Sequence, residues 1–389
     1  DAVVNPRQAD CPYPFKHLCG AAVAYKVICC LYEAYGIPKE ETEEFLEFAG
    51  FATVGDVMDL IGENRILVKE GLKRLNHTQN VGMASLIRAC GLEEKEIKSY
   101  HIGFVLGPCI NAGGRLDTAK RSLNLLLQKD RAKADVMAAE LKTLNDERKD
   151  MTQTGAEEAI EWIEKEGRSQ DKVLVVYLPD CHESLAGIIA GRIRERYNKP
   201  VFVLTDSIDG VKGSGRSIEA YSMFEEMSKC KELYTKYGGH PMAAGLSLEE
   251  KDIDEFRRRL NADAELTEED FVPKIWIDVP MPFEYVNEKI VQELKDLEPF
   301  GQGNEKPLFA QKSLVIRNVR VLGKNRNVVK MNLVTETGQP VDGLLFADGD
   351  RFLEEQAGRN MIDMIYYPDV NEYNGTRTLQ AVIRNYKFH

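Results

Sequence analysis

Lys236-Tyr237-Gly238-Gly239-His240-Pro241-Met242-Ala243-Ala244-Gly245-Leu246 sets two adjacent glycines directly before a histidine. Neither glycine carries a Cβ, so their N–H groups can approach a ligand closely. His240 adds a titratable tip, and the small residues after it let the next element pack tightly. Such a combination cradles a phosphate or another anion. The same glycines also suit a plain hairpin turn, and the segment alone leaves both readings open.

The chain before it reads as β-α-β. Residues 173–178 form a buried-type strand, 182–197 a helix with Asp180 as its candidate cap, and 200–204 a second strand. This unit favours a parallel strand pair. Gly187 and Gly191, four apart, would let the helix lie close to its sheet. A helix over 222–237 is predicted to lead into the glycine pair. The domain is expected to span 167–265.

Further upstream, residues 1–118 read as mostly helical, with segments over 20–35, 39–47 and 65–74 and with Gly36 and Gly50 as stops. Residues 119–166 hold no proline, and Leu123, Leu127, Ala134, Met137, Leu141 and Leu144 keep helical spacing. One connecting helix of about thirty residues would span roughly 45 Å; the alternative is an antiparallel pair split near Gly155. Downstream, 275–389 reads as a helix, three strands, a short helix and two strands that pair across Asn374-Gly375. That is the order of an OB barrel, a common single-strand binder. The expected fold is thus a multidomain α/β chain with a C-terminal β-barrel.

Lys and Arg number 51 against 63 Asp and Glu, a net charge of −12. The surface as a whole excludes general polyanion binding, so a nucleic-acid site must be a local basic groove. Candidate patches are Arg192, Arg194, Arg196 and Lys199; Arg257 to Arg259; and Arg317, Arg320, Lys324, Arg326 and Lys330. Eight scattered cysteines without C-x-x-C spacing argue against a disulfide framework or a zinc knuckle. No apolar run approaches membrane-spanning length. The expectation is a reduced, cytoplasmic protein without a membrane partner. The chain opens Asp1-Ala2-Val3-Val4-Asn5-Pro6, which reads as the middle of a longer protein.

Two more segments have phosphate-friendly chemistry. Gly107-Pro108-Cys109-Ile110-Asn111-Ala112-Gly113-Gly114-Arg115 reads as a glycine-rich turn offering the Asn111 amide and the planar fork of Arg115. Gly213-Ser214-Gly215-Arg216-Ser217 reads as a loop with two hydroxyls and a guanidinium. His182, beside Glu183 at a helix start, is a candidate phosphate or base contact. Asp56, after Gly55, reads from the residues alone as an N-cap, although a carboxylate there could also bind a hard cation.

These segments, with residues 1–6 and 52–60, resemble the RecJ-type nucleases of the DHH phosphoesterase family, in order and spacing and over essentially the whole chain. The resemblance implies the C-terminal part of a DHH domain over 1–118, a connecting helix, a DHH-associated domain and an OB domain. It implies a single-stranded-DNA-specific 5′→3′ exonuclease of recombination and repair, using two Mn²⁺ or Mg²⁺ ions. Asp56 then corresponds to the family's last metal-binding aspartate, and His240 to the histidine near the scissile phosphate. Arg115, Ser214 and Arg216 correspond to residues holding the 5′-terminal or nearby phosphates, with Asn111, His182, Ser217, Gly238 and Gly239 as further contacts. Tyr366, Tyr367 and Tyr373 are stacking candidates on the barrel. Single-strand-binding protein and a helicase are the implied partners, and the chain is expected to be a monomer.

The family's aspartate-rich and Asp-His-His motifs are absent from this sequence, so the expectation is an N-terminally truncated and catalytically inert chain. Cys109 stands where many relatives carry arginine. The competing readings are a DHH phosphodiesterase on short oligonucleotides or cyclic dinucleotides, and a non-catalytic strand-binding module.

Overall fold

The computed structural model describes residues 2–208, 210–373 and 375–389. It divides into two compact units: one runs up to His77 and adds 97–103 and 275–389, and the other holds 78–96 and 104–274.

The first unit opens with three helices, α1 (Gly20–Ala34), α2 (Leu46–Gly55) and α3 (Gly62–Leu75). Gly36, at φ 67°, ends the first as expected. Gly50 ends nothing. It lies inside α2 and faces Gly71 of α3 so closely that a Cβ on Gly71 would stand 2.6 Å from the Leu46 carbonyl oxygen. The pair marks a backbone-to-backbone crossing. Asp56 also departs from expectation: it caps the C-terminus of α2, its N–H donating to the Ala52 carbonyl at 2.8 Å.

In the second unit, α4 (Val81–Ala89), α5 (Gly107–Leu116) and α6 (Lys120–Leu127) precede α7 (Arg131–Lys165), a helix of 35 residues. At 1.5 Å per residue it is about 50 Å long. The expected connecting helix therefore exists, but begins only after a break at 128–130. There Gln128 is extended and the Asp130 carboxylate accepts from the Lys133 N–H at 3.1 Å. Gly155 does not split it; its missing side chain admits Ile189, whose Cδ1 would stand 2.7 Å from a Cβ. Among the described residues no helix is long and apolar enough to cross a membrane.

A five-stranded sheet follows: β1 (Leu174–Tyr177), β2 (Val201–Ser207), β3 (Gly210–Arg216), β4 (Tyr234–His240) and β5 (Ala243–Leu248), in the order β1-β2-β3-β5-β4. Strands β1 and β2 are parallel, joined through α8 (Ala186–Tyr197). One face packs Leu174, Val176, Val201 and Val203 against Ala159 and Ile163 of α7 and Ile189 and Ile193 of α8. The other packs Val175, Phe202 and Leu246 against Met223 and Met227 of α9 (Met223–Ser228) and Phe256 and Leu260 of α10 (Ile253–Asp263). The result is helix, sheet, helix in three layers.

Three local expectations change. The 3-10 turn Glu183–Leu185 that leads into α8 is capped by His182, and Asp180 is not the cap. The 213–217 segment is no loop: residues 210–216 are the sheet's middle strand, with Gly213 and Gly215 admitting Leu204, Leu246, Phe202 and Met223. The helix predicted over 222–237 stops at Ser228, and the glycine pair lies on β4.

The first unit closes with α11 (Glu288–Lys295) and a barrel of β6 (Phe309–Leu322), β7 (Val328–Val334), β8 (Pro340–Leu345), β9 (Met361–Tyr373) and β10 (Thr376–Phe388). The order β10-β8-β7-β6-β9 closes on itself, and α12 (Gly349–Gln356) comes between β8 and β9. This is the OB arrangement the sequence pattern implied. Tyr366 is no stacking platform: it is fully buried, and its hydroxyl donates to the Met281 carbonyl at 2.8 Å. Tyr367 is buried as well, with Lys306 Nζ 4.6 Å from its ring centre. Asn374 and the side chain of Tyr373 lie outside the described residues. A loop before β6 anchors to the helices of the same unit. Leu60 N–H donates to Gln302 O at 2.7 Å, and Arg65 Nη2 donates to the Asp296 and Glu298 carbonyls at 2.9 and 3.0 Å.

Candidate nucleic-acid interface

Side chains alternate across a pleated sheet, so one face of β3, β5 and β4 can be read from the register. Lys212, Ser247 and Lys236 form one cross-strand row, Ser214, Gly245 and Gly238 the next, and Arg216, Ala243 and His240 the third. The helices over this face bury β1 and β2, whereas Gly245, Lys236, Gly238 and His240 remain exposed. A groove of about 490 Å³ lies there, with Ser214, Gly238 and Gly245 in its floor and Lys212, Lys236 and Ser184 along its sides. A Cβ at Gly238 would meet open space, so that glycine keeps the floor low rather than relieving a clash. Gly239 faces the other way, where a Cβ would stand 2.5 Å from the Ala243 carbonyl oxygen.

The glycine pair is therefore the end of a hairpin strand, and Pro241-Met242 form the connection. His240 Nδ1 accepts the Met242 N–H at 3.3 Å. In the neutral ring that leaves the proton on Nε2, free to donate outward. The connection is tied down from behind, Ser217 N–H donating to Met242 O and Met223 N–H to Pro241 O, both at 2.9 Å. Ser217 is thus not a ligand contact: it is fully buried and its hydroxyl donates to the Tyr221 carbonyl at 2.5 Å.

Helix α5 is the segment expected as a glycine-rich turn. Asn111 and Arg115 are both exposed on it and one turn apart, hence on one face. Arg115 Nη1 donates to the Ser184 carbonyl at 3.0 Å. His182 Nδ1 lies 2.8 Å from the Ser184 hydroxyl and 3.3 Å from its N–H, so it orders this turn with its ring edge exposed. Gly187, in the first turn of α8, lets the helix approach Ser214 and Arg216, as the sequence implied; Gly191 has nothing within 4 Å and plays no such part.

The strongest electrostatic feature combines residues from four elements. Burial lowers the Arg216 guanidinium from its usual range, and Arg115 and Arg194 lower it further. Burial likewise lowers Arg148 of α7, with Arg115 and Arg192 adding to the effect. Arg148 Nε donates to Asn145 Oδ1 at 3.2 Å, Arg192 Nη1 to Gln153 Oε1 at 2.5 Å, and Arg216 Nη1 to Gly215 O at 2.7 Å. All these acceptors are neutral. Among the described residues no carboxylate lies within 4 Å of Arg115, Arg148, Arg192 or Arg216, while Arg194 has only Glu195 at 3.7 Å. Like charges brought together without counter-charge favour an anion from solution.

Arg148 went unseen in the sequence because Asp146, Glu147 and Asp150 surround it and read as its helix partners. Lys212 and Lys236 went unseen because only strand register aligns them. Asp56 belongs to the first unit, exposed at the end of α2. Among the described residues no three His, Cys, Asp or Glu side chains group as a metal site. One carboxylate does not fit a pair of divalent ions, which need several bridging oxygens.

Residues 170–265 match the DHHA1 domain, and 277–385 match the RecJ OB domain. The chain is 35% identical over 388 residues to the single-stranded-DNA-specific exonuclease RecJ of Bacillus subtilis, covering 99% of this chain and 48% of that protein. It is 33% identical to RecJ of Salmonella typhimurium, covering 98% of this chain and 69% of that one. It thus spans about half the length of the first relative and rather more of the second. RecJ from Thermus thermophilus, solved with Mg²⁺ and with Mn²⁺, superposes with TM-scores of 0.83 and 0.84 at 29% identity, over 97% and 98% of this chain and 57% and 54% of that one. With its closed OB barrel, its basic groove and these similarities, the chain belongs to the RecJ family of single-stranded-DNA-specific exonucleases.

Proposed function

We propose that this chain is the strand-gripping part of a 5′→3′ exonuclease specific for single-stranded DNA. The uncompensated cluster of Arg115, Arg148, Arg192 and Arg216 is the observation that carries the reading. With the Ser214 hydroxyl it takes the 5′-terminal or an adjacent phosphate. The third row of the sheet carries the strand onward: at about 4.8 Å per strand, His240 stands about 10 Å from β3. Its Nε2–H is free to donate to a phosphate oxygen and to steady charge that develops there. Asn111 and His182 contribute polar contacts at the edge of the grip, and the exposed surface of the OB barrel holds more of the strand.

Relatives are described with Mg²⁺ and Mn²⁺, and we take divalent ions as the cofactors of the whole activity. The donors described here do not hold two such ions, so no step through the metal is assigned to this chain. A substrate that must be single-stranded suits a cytoplasmic site where a helicase opens duplex and single-strand-binding protein covers it, with the nuclease acting as a monomer.

The test is fluorescence anisotropy with single-stranded DNA bearing 5′-phosphate or 5′-hydroxyl, without metal. Tighter binding of the phosphorylated strand is expected. Equal affinity for both ends would remove the reading of the arginine cluster.

A further inference from the structure

Cys90 and Cys109 lie apart in the sequence but meet in the second unit, their Sγ atoms 3.7 Å apart. Cys90 caps the C-terminus of α4 and is half-buried, whereas Cys109 sits fully buried in the first turn of α5. A disulfide needs the sulfurs at about 2.05 Å, a closure of about 1.7 Å. Helix α5 also carries Asn111 and Arg115, the latter six residues or about 9 Å along the axis from Cys109. Both sulfurs feel the charges of Lys142 and Lys149 on α7.

We propose that Cys90 and Cys109 form a reversible oxidative modification site that sets the position of α5, and with it the arginine grip on phosphate. Hydrogen peroxide is the oxidant. The Cys90 thiolate attacks one peroxide oxygen, giving a sulfenic acid and hydroxide. The Cys109 sulfur then attacks the Cys90 sulfur and the hydroxyl leaves as water, so two thiols and one peroxide yield one disulfide and two waters. Cys90 takes the first role because it is the reachable sulfur. A hydrogen bond from Cys109 also holds its thiol below the usual range, with burial opposing and Lys142 and Lys149 assisting against Asp146. Cys109 is pushed the other way, by that same hydrogen bond and then by burial, so it waits as the resolving thiol.

The effect on binding rests on the function proposed above, but disulfide formation does not. The intact chain is treated with hydrogen peroxide and its thiols are titrated. The linked peptides are sought by mass spectrometry, and affinity for 5′-phosphorylated single strands is measured before and after dithiothreitol. Two of the eight free thiols should disappear as one Cys90–Cys109 link. Affinity should fall about tenfold, as expected when one charge-assisted hydrogen bond to the phosphate is lost, and should return on reduction. Cys90→Ser, at the half-exposed position, should keep its affinity through oxidation. Thiol loss without that link, a link without change in affinity, or the same fall in Cys90→Ser would each overturn the proposal. If the reduced chain fails to prefer phosphorylated ends, the functional reading fails, and the mass spectrum still judges the link.

Discussion

Gly187 leaves the space that Arg216 occupies: a Cβ at position 187 would stand 2.7 Å from the Arg216 Nη2 and 2.7 Å from the Ser214 Oγ. Both atoms end side chains that can swing aside, so Gly187→Ala should fold. Its helix gains about 0.5–1 kcal/mol from losing a glycine, which offsets the crowding. Arg216 is displaced instead. Affinity for 5′-phosphorylated single strands should fall about tenfold, with the thermal midpoint within a few degrees of the parent; an unchanged affinity would show that Arg216 is not held for a ligand.

Arg216→Ala and Arg148→Gln should each weaken binding of 5′-phosphorylated ends about tenfold or more, since a charge-assisted hydrogen bond contributes about 1.5–3 kcal/mol. Strands with a 5′-hydroxyl should lose much less. A phosphomonoester dianion takes up a proton near pH 6 and drops to a single negative charge, whereas guanidinium stays charged. The preference for phosphorylated ends should therefore shrink between pH 7.5 and 5. Anisotropy across that range checks it, with the hydroxyl strand correcting for the histidines.

Salt gives an independent count. Each phosphate contact on a single strand contributes about 0.7 to the slope of log affinity against log salt. Removing Arg192 or Arg148 should lower the slope by about that amount, and removing the carboxylate-paired Arg258 should leave it unchanged.

The chain alone should bind single strands without metal and show no Mn²⁺-dependent cleavage, because Asp56 offers one carboxylate. Released mononucleotides from the pure chain, abolished by chelator, would refute this.

Gly71→Ala tests the helix crossing in the first unit. Its Cβ would meet backbone atoms at 2.6 and 2.9 Å, and backbone cannot swing aside. Overpacking of this kind costs about 1–3 kcal/mol, so urea should unfold the variant at a clearly lower midpoint.

The barrel was legible because its strands come in the order three, helix, two, with an Asn-Gly turn signal between the last pair. The β-α-β unit was legible because 173–178 is a continuous apolar run between turn signals. Glycine caused most of the misreadings. At 107–116, 213–216 and 238–239 it looked like loop, whereas Gly113 packs a helix face, Gly213 and Gly215 admit bulky neighbours on a strand, and Gly238 and Gly239 lie on a hairpin strand. Tertiary contact decided those cases, and a single sequence does not display it. The site was half legible for the same reason. Arg115, Ser214 and Arg216 stand beside glycines that draw the eye, while Arg148 reaches the cluster only because α7 runs unbroken past α5 and α8.

The loop before β6 has a further consequence. Leu60 and Arg65 grip only main-chain oxygens at Gln302, Asp296 and Glu298, and any amino acid supplies such oxygens. These contacts are therefore indifferent to the side chains at 296 and 302, whereas Lys98 pairs with the Glu298 carboxylate and Gly301 and Gly303 leave room for Leu60 and Asp59. A lineage can re-tune the chemistry of its barrel without unmooring it from the helices.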